Sequence, residues 1–320
     1  MRLRKLGGVL LIAATLLTAR EITVQQAVEW AMTHNKTLAQ FKEQLSAAEA
    51  ASSAALALEY PELSYSREGM DANQKYDEIR WTLSQSIEFP NKPFLRKQQA
   101  RLQHAAKQAQ YEEFLLELRT AVKVTYVDLL TRRNILRLRH RELNLAQLFQ
   151  KAVEERIVAG ISPEFERIQA EIQLAQAKNS YEEARWTFHS QRYELFTLIG
   201  LDADEQGYDI QFPDSLIYTR LKIPQKDALD GVVNQPLMRY YELLEKIADK
   251  EISLAKSQLL PDLSVGIFTQ DINGESRKKG FEAGLSLPLW YPLVQKGQTS
   301  KARAEKRSVE WELAQQKLLY

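Results

Sequence analysis

The chain alternates between two patterns of hydrophobic and polar residues. In residues 80–89 apolar side chains recur at alternate positions, and residues 262–267 and 281–289 show the same alternation. A period of two predicts β-strands with one apolar and one polar face. By contrast, residues 93–160 have no glycine or proline between their ends. That stretch predicts a single helix, on the order of 100 Å long at about 1.5 Å per residue.

The strand pattern leaves two interpretations open. In the first, the strands form a half-buried hairpin in an ordinary globular domain. In the second, they belong to a barrel with lipid outside and water inside. Four strands cannot enclose a channel, and open edges are not tolerated in lipid, so the second interpretation requires an oligomer. Three copies of four strands would supply twelve. The channel-lining candidates would then be Thr82, Ser84, Ser86 and Glu88.

The long helix carries the signature of a coiled coil. Apolar residues recur at a strict spacing of seven, at Leu115, Val122, Leu129, Leu136 and Leu143. Such a seam needs a partner helix. Residues 160–163 combine a glycine suited to a helix end, a serine N-cap and a proline suited to a first helical turn. The returning residues 164–199 repeat the spacing at Leu174, Tyr181, Phe188 and Leu195. The pattern therefore predicts an antiparallel helical hairpin.

The chain repeats itself at an offset of 198 to 202 residues. Residues 60–64 reappear as 260–264, and each copy predicts a helix, two strands and a long helix. The first helix should break at Asn35 in one copy and at Gln235 in the other. We therefore expect a first repeat over residues 20–200, an inter-repeat segment over 201–225 and an incomplete second repeat over 226–320.

The first 19 residues have the layout of a secretory signal peptide. Arg2, Arg4 and Lys5 precede an apolar run of about a dozen residues. This run is shorter than the roughly 20 residues that a helix needs to cross a membrane. The chain has no cysteine, and its 43 basic residues nearly balance its 42 acidic ones. The sequence thus predicts export without disulfides, and nothing in its charge indicates nucleic acid.

Motifs of catalysis and metal binding are absent from the sequence. There is no Gly-rich phosphate loop after a strand, no nucleophile elbow and no His-x-x-x-His pair. His104 and His140 lie on one predicted helix, on the order of 50 Å apart, and cannot share an ion. The arginines of residues 132–141 spread around the helix and form no stripe. We predict no enzyme activity, no cofactor and no metal site.

Taken in order, these pieces resemble the outer membrane efflux protein family typified by TolC. The resemblance covers essentially everything after residue 19. It rests on the order and spacing of four short motifs: Ile22-Thr23-Val24 with Ala27 and Asn35, Pro61-Glu62-Leu63-Ser64, Gly160-Ile161-Ser162, and Leu198-Ile199-Gly200-Leu201.

Residues 83–90, with Lys92 and Arg96 behind them, are similar to the heavy-metal branch of that family, the CzcC-like proteins. That branch usually has Pro-Gly-Lys-Arg where this chain has Pro90-Asn91-Lys92-Pro93.

The resemblance implies a mainly α fold with membrane β. Long antiparallel helical hairpins would build a periplasmic coiled-coil barrel, and a homotrimer would share a twelve-stranded outer-membrane β-barrel in contact with lipid. The implied function is the exit duct of a tripartite efflux system, a passive conduit out of the periplasm, with heavy-metal cations as the substrates that the branch suggests. Each chain would contribute four strands, at residues 60–67, 79–89, 261–270 and 280–289.

The same resemblance implies two protein partners. An inner-membrane pump of the RND type would supply energy and selectivity. A periplasmic adaptor, a membrane fusion protein, would dock on the tip of the helical hairpin. The candidate docking residues are Arg156, Ile157, Val158, Ala159, Gly160, Ile161 and Ser162.

Compared with the family, the second copy is short. In the first copy 110 residues separate Pro90 from Gly200, whereas only 32 residues follow Pro288. We therefore expect a C-terminally truncated channel protein. Two alternatives compete with the channel. A periplasmic adaptor would flank a single hairpin with Gly-rich β-modules, and a coiled-coil scaffold would lack strands with an exposed apolar face.

Overall fold

The computed structural model of the chain describes most of the mature sequence. The predicted signal peptide, residues 1–19, lies outside the described residues, as do most of the predicted segment 201–225 and residues 226–234. The described ranges are 20–69, 77–201, 210–216, 235–274, 277–287 and 291–319.

The chain divides into two compact units, each built from two separate stretches of sequence. The first unit contains the described parts of residues 1–36 and 117–220, and the second those of 37–116 and 221–320. The expected repeat boundaries at residues 200 and 226 stay a prediction.

The first unit begins with a short parallel strand pair. Strand β1 (Arg20–Glu21) pairs with β4 (Ile210–Gln211), and helix α1 (Val24–His34) follows β1. Thr23 caps α1 in a capping box with Gln26, which satisfies the backbone N–H groups of both residues. Ala27 and Ala31 of α1 are buried.

The predicted helix break at Asn35 is present. Asn35 is extended, and its side-chain amide donates to the carbonyl of Leu198 over 2.9 Å. Gly200 caps the end of the helix Phe165–Ile199 and has φ +76°. It lies so close to the backbone of His34 that a Cβ on Gly200 would be 2.2 Å from the His34 carbonyl oxygen. The break therefore forms because the side chain of Asn35 bonds to a distant segment and glycine permits the close approach.

The predicted helical hairpin is also present. Helix α3 runs over Asn91–Val158 and helix α4 over Phe165–Ile199, against predicted bounds of 93–160 and 164–199. Arg167 pairs with Glu154 at 3.6 Å, and the ring centroids of Tyr181 and His140 lie 5.6 Å apart. Both pairs fit one antiparallel register, because the residue number rises on one helix as it falls on the other.

The residues of the predicted seam are turned inward along both helices. Val122, Leu129 and Leu195 are fully buried, and the remaining six seam residues are half-buried. Ala170 and Ala184 are buried as well, which permits close approach of the helices. The seven-residue spacing therefore marks the packed side of the hairpin.

The second unit contains a four-stranded antiparallel sheet. Its strands are β2 (Glu62–Glu68), β3 (Glu78–Ile87), β5 (Asp262–Ile272) and β6 (Lys278–Ser286), in the order β2-β3-β5-β6. The four predicted strands are thus confirmed, with ends that differ by no more than three residues. The two predicted hairpins meet at the centre of the sheet, where β3 pairs with β5 along ten residues of each strand.

Helices flank this sheet in the sequence. Helix α2 (Lys36–Ala54) precedes β2, α5 (Pro236–Ser257) precedes β5, and α6 (Tyr291–Leu319) follows β6. Helix α5 begins at Pro236, as the proline predicts, and packs against α6 through the ion pair of Asp249 with Lys306 at 2.8 Å. The rings of Phe41 in α2 and Phe114 in α3 stack at 4.8 Å. The fold is therefore mainly α with one β-sheet.

Replacing Gly200 with alanine should destabilise the chain more than the same change at Gly160. Both glycines have positive φ, which costs alanine about 1–2 kcal/mol. A Cβ at Gly160 meets nothing within 4 Å, whereas one at Gly200 collides with the backbone of His34. Thermal unfolding followed by circular dichroism should show the larger fall in melting temperature for Gly200→Ala. Equal falls would contradict the close approach.

Candidate functional site

The sheet of the second unit has one apolar face and one polar face. Residues paired across antiparallel strands point to the same side, and the register aligns Leu63, Leu83, Ile267 and Phe281 in one row. The large apolar residues of that face are 38% to 83% exposed. We call them the apolar face: Leu63, Tyr65, Trp81, Leu83, Leu263, Val265, Ile267, Phe281 and Leu285.

An exposed apolar surface of this kind is usually covered by a binding partner or by lipid. Proteins that remain monomeric in water rarely expose contiguous apolar patches larger than a few hundred Å². Nine large side chains on adjacent strands form a contiguous apolar patch, and the charged residues of the same face, Arg67, Asp271 and Lys279, lie at its end near the hairpin turns. The apolar face is therefore a contact surface for lipid or for another protein.

Three of the predicted channel-lining residues lie together on the opposite face. Thr82, Ser84 and Ser86 alternate along β3, and Ser86 pairs with Ser264 of β5. Thr82 is only 8% exposed. Glu88 lies one residue past the end of β3, where its carboxylate accepts hydrogen bonds from Arg96. Whether these residues line a channel stays a prediction.

The polar face is shaped by glycines, a feature that the sequence reasoning missed. A Cβ on Gly280 would lie 2.4 Å from the ring of Phe268, and a Cβ on Gly266 would lie 2.9 Å from Glu282. The guanidinium of Arg80 covers the other part of the Phe268 ring at 4.7 Å from its centroid. Gly266 in β5 and Gly280 and Gly284 in β6 were the available signal, but their role depends on the pairing register.

The two outer strands of the sheet present open edges. Within the part of the chain that the structure describes, β2 is paired only with β3, and β6 only with β5. Unpaired backbone donors and acceptors invite pairing with another strand. The sheet is therefore open at both sides as one chain builds it.

A partly buried ion pair connects the sheet to helix α3. Lys92, in the first turn of α3, donates to both carboxylate oxygens of Asp262 at 2.7 and 2.8 Å. The same carboxylate accepts from the backbone N–H of Phe89 at 2.8 Å. The three residues fix where β3 ends and where the helix begins. Sequence reasoning missed this pair because its members are 170 positions apart.

The predicted docking residues 156–162 form the tip of the helical hairpin. The backbone N–H of Ile161 donates to the carbonyl of Arg156 over 2.9 Å, which closes the turn around Gly160. Val158 is 82% exposed and Ile161 is 70% exposed. The tip therefore presents an apolar surface, while its role in docking stays a prediction.

Of the predicted arginine cluster, Arg133 has a structural partner in the first unit. Its guanidinium donates to the carbonyls of Phe212 and, at 2.8 Å, Asp214. Burial lowers the pKa of Arg133, and the nearby charge of Arg137 lowers it further. Tyr126 lies beside this segment, and its hydroxyl donates to the carbonyl of Ile22 over 2.8 Å. These contacts hold residues 210–214 against the helices.

The described residues contain neither a cluster of metal ligands nor a helix that could span a membrane. There, no group of three or more His, Asp or Glu residues is arranged to hold a metal ion. In the same ranges, no helix is both long enough and apolar enough to cross a membrane.

A sheet that exposes one apolar face is typical of a protein that contacts a membrane or a partner protein, and this chain combines such a sheet with a long helical hairpin. The sequence model of the family described as outer membrane efflux protein matches residues 27–201. The chain belongs to this family. It is an outer-membrane transport protein and not an enzyme, and the predicted family and location are confirmed. The match also speaks against the adaptor and scaffold alternatives.

Solved structures of outer-membrane channels share the fold. The Campylobacter jejuni CmeC outer membrane channel is 16% identical, with a TM-score of 0.77, over 92% of this chain and 68% of that one. The outer-membrane channel OprN is 16% identical, with a TM-score of 0.73, over 92% and 71% of the two chains. CusC, whose crystal structures concern transmembrane channel formation, is 15% identical, with a TM-score of 0.69, over 92% of this chain and 72% of that one.

A comparison of the sequence with curated proteins finds no match.

Proposed function

We propose that the chain is one subunit of a homotrimeric exit duct that spans the outer membrane. The observation that carries the proposal is the two-faced sheet with open edges. An outward apolar face and an inward polar face are the arrangement of a membrane β-barrel. Four strands are too few to enclose a channel, and lipid does not tolerate unpaired edges. Pairing β6 of one copy with β2 of the next would close a barrel of three copies.

In this proposal the polar face lines the duct. Thr82, Ser84 and Ser86 lie on that face, and Glu88 continues the alternation at its end. The two hairpins would cross the membrane, while the helical hairpin would extend into the periplasm as part of a tunnel wall. The duct would be passive, because nothing in the sequence indicates nucleotide binding or catalysis.

We also propose that the duct works in a tripartite efflux system. A pump of the RND type in the inner membrane would supply the energy, and a periplasmic adaptor would contact residues 156–162. The exposed apolar side chains of Val158 and Ile161 support a protein contact at this tip. Heavy-metal cations are the substrate class that the CzcC-like stretch at residues 83–90 favours.

A lysine on the apolar face should exclude the chain from the outer membrane. Ile267→Lys places a charge in lipid near the middle of β5, at a cost of about 2–4 kcal/mol per copy. Ser264→Lys adds the same charge to the same strand, but on the polar face. Cell fractionation should find Ser264→Lys in the outer membrane and Ile267→Lys depleted from it. Equal distribution of the two variants would contradict the assignment of the faces.

A charge at the hairpin tip should disrupt docking and leave the barrel intact. Ile161→Asp puts a carboxylate on the exposed apolar tip, so an adaptor that is expressed in the same cells should no longer co-purify with the chain. Ile172→Asp is the control, because Ile172 is an exposed apolar residue of α4 outside the tip. Both variants should reach the outer membrane. Unchanged co-purification with Ile161→Asp would contradict the docking site.

A further inference from the structure

One row of residues on the apolar face differs from the rows beside it. The register places Tyr65, Trp81, Thr269 and Lys279 side by side across the four strands. The rings of Tyr65 and Trp81 lie 4.9 Å apart, and Lys279 is exposed. We call these four residues the aromatic row. It combines two amphipathic aromatic rings with a hydroxyl and a cation.

The polarity of the sheet changes at the aromatic row. On the side toward the helices, the next row is entirely apolar and consists of Leu63, Leu83, Ile267 and Phe281. On the side toward the hairpin turns, the next row is Arg67, Ile79 and Asp271, so charged residues flank one apolar residue. Arg67 is also paired with Asp77 at 2.9 Å. Tyrosine and tryptophan are enriched where hydrocarbon meets the polar headgroups of a membrane. The row therefore lies at the depth of the headgroups if the sheet spans a membrane.

A groove begins at the aromatic row and continues into the apolar part of the face. Its volume is about 440 Å³, and at one end it is lined by Lys279 and Thr269. Its other lining residues include Trp81, Leu83, Ile267 and Leu63. The groove thus offers a cation at headgroup depth and an apolar floor below it.

We propose that this groove binds one lipid molecule with an anionic, phosphate-bearing headgroup. The ammonium of Lys279 binds the phosphate, with the hydroxyl of Thr269 beside it. An acyl chain lies along Leu83 and Ile267. A lysine at this depth can hold its charge among headgroups while its methylene stem covers apolar surface. The inference rests on the proposed function, because the groove meets lipid only if the apolar face lies in a membrane.

The chain supplies a matched control for this site. Lys278 is the neighbour of Lys279, carries the same charge and is equally exposed, but it pairs with Gln270 and points to the polar face. Loss of either lysine changes the net charge of the chain equally. Of the two lysines, only Lys279 lines the groove.

Native mass spectrometry of the full chain can measure the lipid preference. The chain is extracted in detergent and mixed with equal amounts of phosphatidylglycerol and phosphatidylcholine of identical acyl chains. The wild type should retain phosphatidylglycerol preferentially. Lys279→Gln should lower that preference about fivefold, because one lysine near an anionic headgroup is worth about 1 kcal/mol. Lys278→Gln should leave it unchanged, and Lys279→Arg should preserve it.

Two results would overturn the inference. The first is a wild-type chain that binds both lipids equally, and the second is an equal loss of preference in Lys278→Gln and Lys279→Gln. In either case the proposed duct stands if all variants fractionate with the outer membrane. A wild-type chain that is absent from the outer membrane overturns the proposed function and the lipid site together.

Discussion

The pairing of β3 with β5 is the interaction on which the four-stranded sheet depends. It joins segments about 190 positions apart through ten residue pairs. Without it, β2 with β3 and β5 with β6 would be separate two-stranded hairpins, which are marginally stable in water. With it, the apolar residues of all four strands share one face. A slip of one residue would move every apolar side chain of one hairpin to the polar face, so the register itself creates the apolar face.

The ion pair of Lys92 with Asp262 fixes the start of helix α3 relative to strand β5. Asp262 is the first residue of β5, and its carboxylate binds both the ammonium of Lys92 and the N–H of Phe89. A strand from the second half of the chain thus determines where the first long helix starts. Charges in such partly buried positions need a partner, so the pair penalises any other alignment of helix and sheet. This link lies at the end of the sheet from which the helices extend.

Much of this architecture could be predicted from the sequence because it depends on local periodicity. The alternation of Trp81, Leu83 and Ile87 predicted β3, and seven-residue spacing predicted the helical hairpin. These features follow from side chains that are near one another along the chain.

Features that depend on distant partners could not be predicted in this way. The contact of Lys92 with Asp262, the contact of Arg133 with the carbonyl of Phe212, and the ring of Phe268 over Gly280 each require the tertiary register. The spacing of the arginines placed them all around the helix, and this gave no indication of the contact that Arg133 makes. Alternation alone was enough to place the candidate lining residues on one face. It could not show that the ring of Phe268 packs against Gly280 on that face.

Within the described residues, both outer strands of the sheet have an unpaired edge. The central question is therefore how copies of the chain assemble. The most direct measurement is the native mass of the chain after its extraction from isolated outer membranes. The account predicts a heat-labile species with about three times the mass of one chain. A monomeric species from that membrane, or a chain that never reaches it, would contradict the shared barrel.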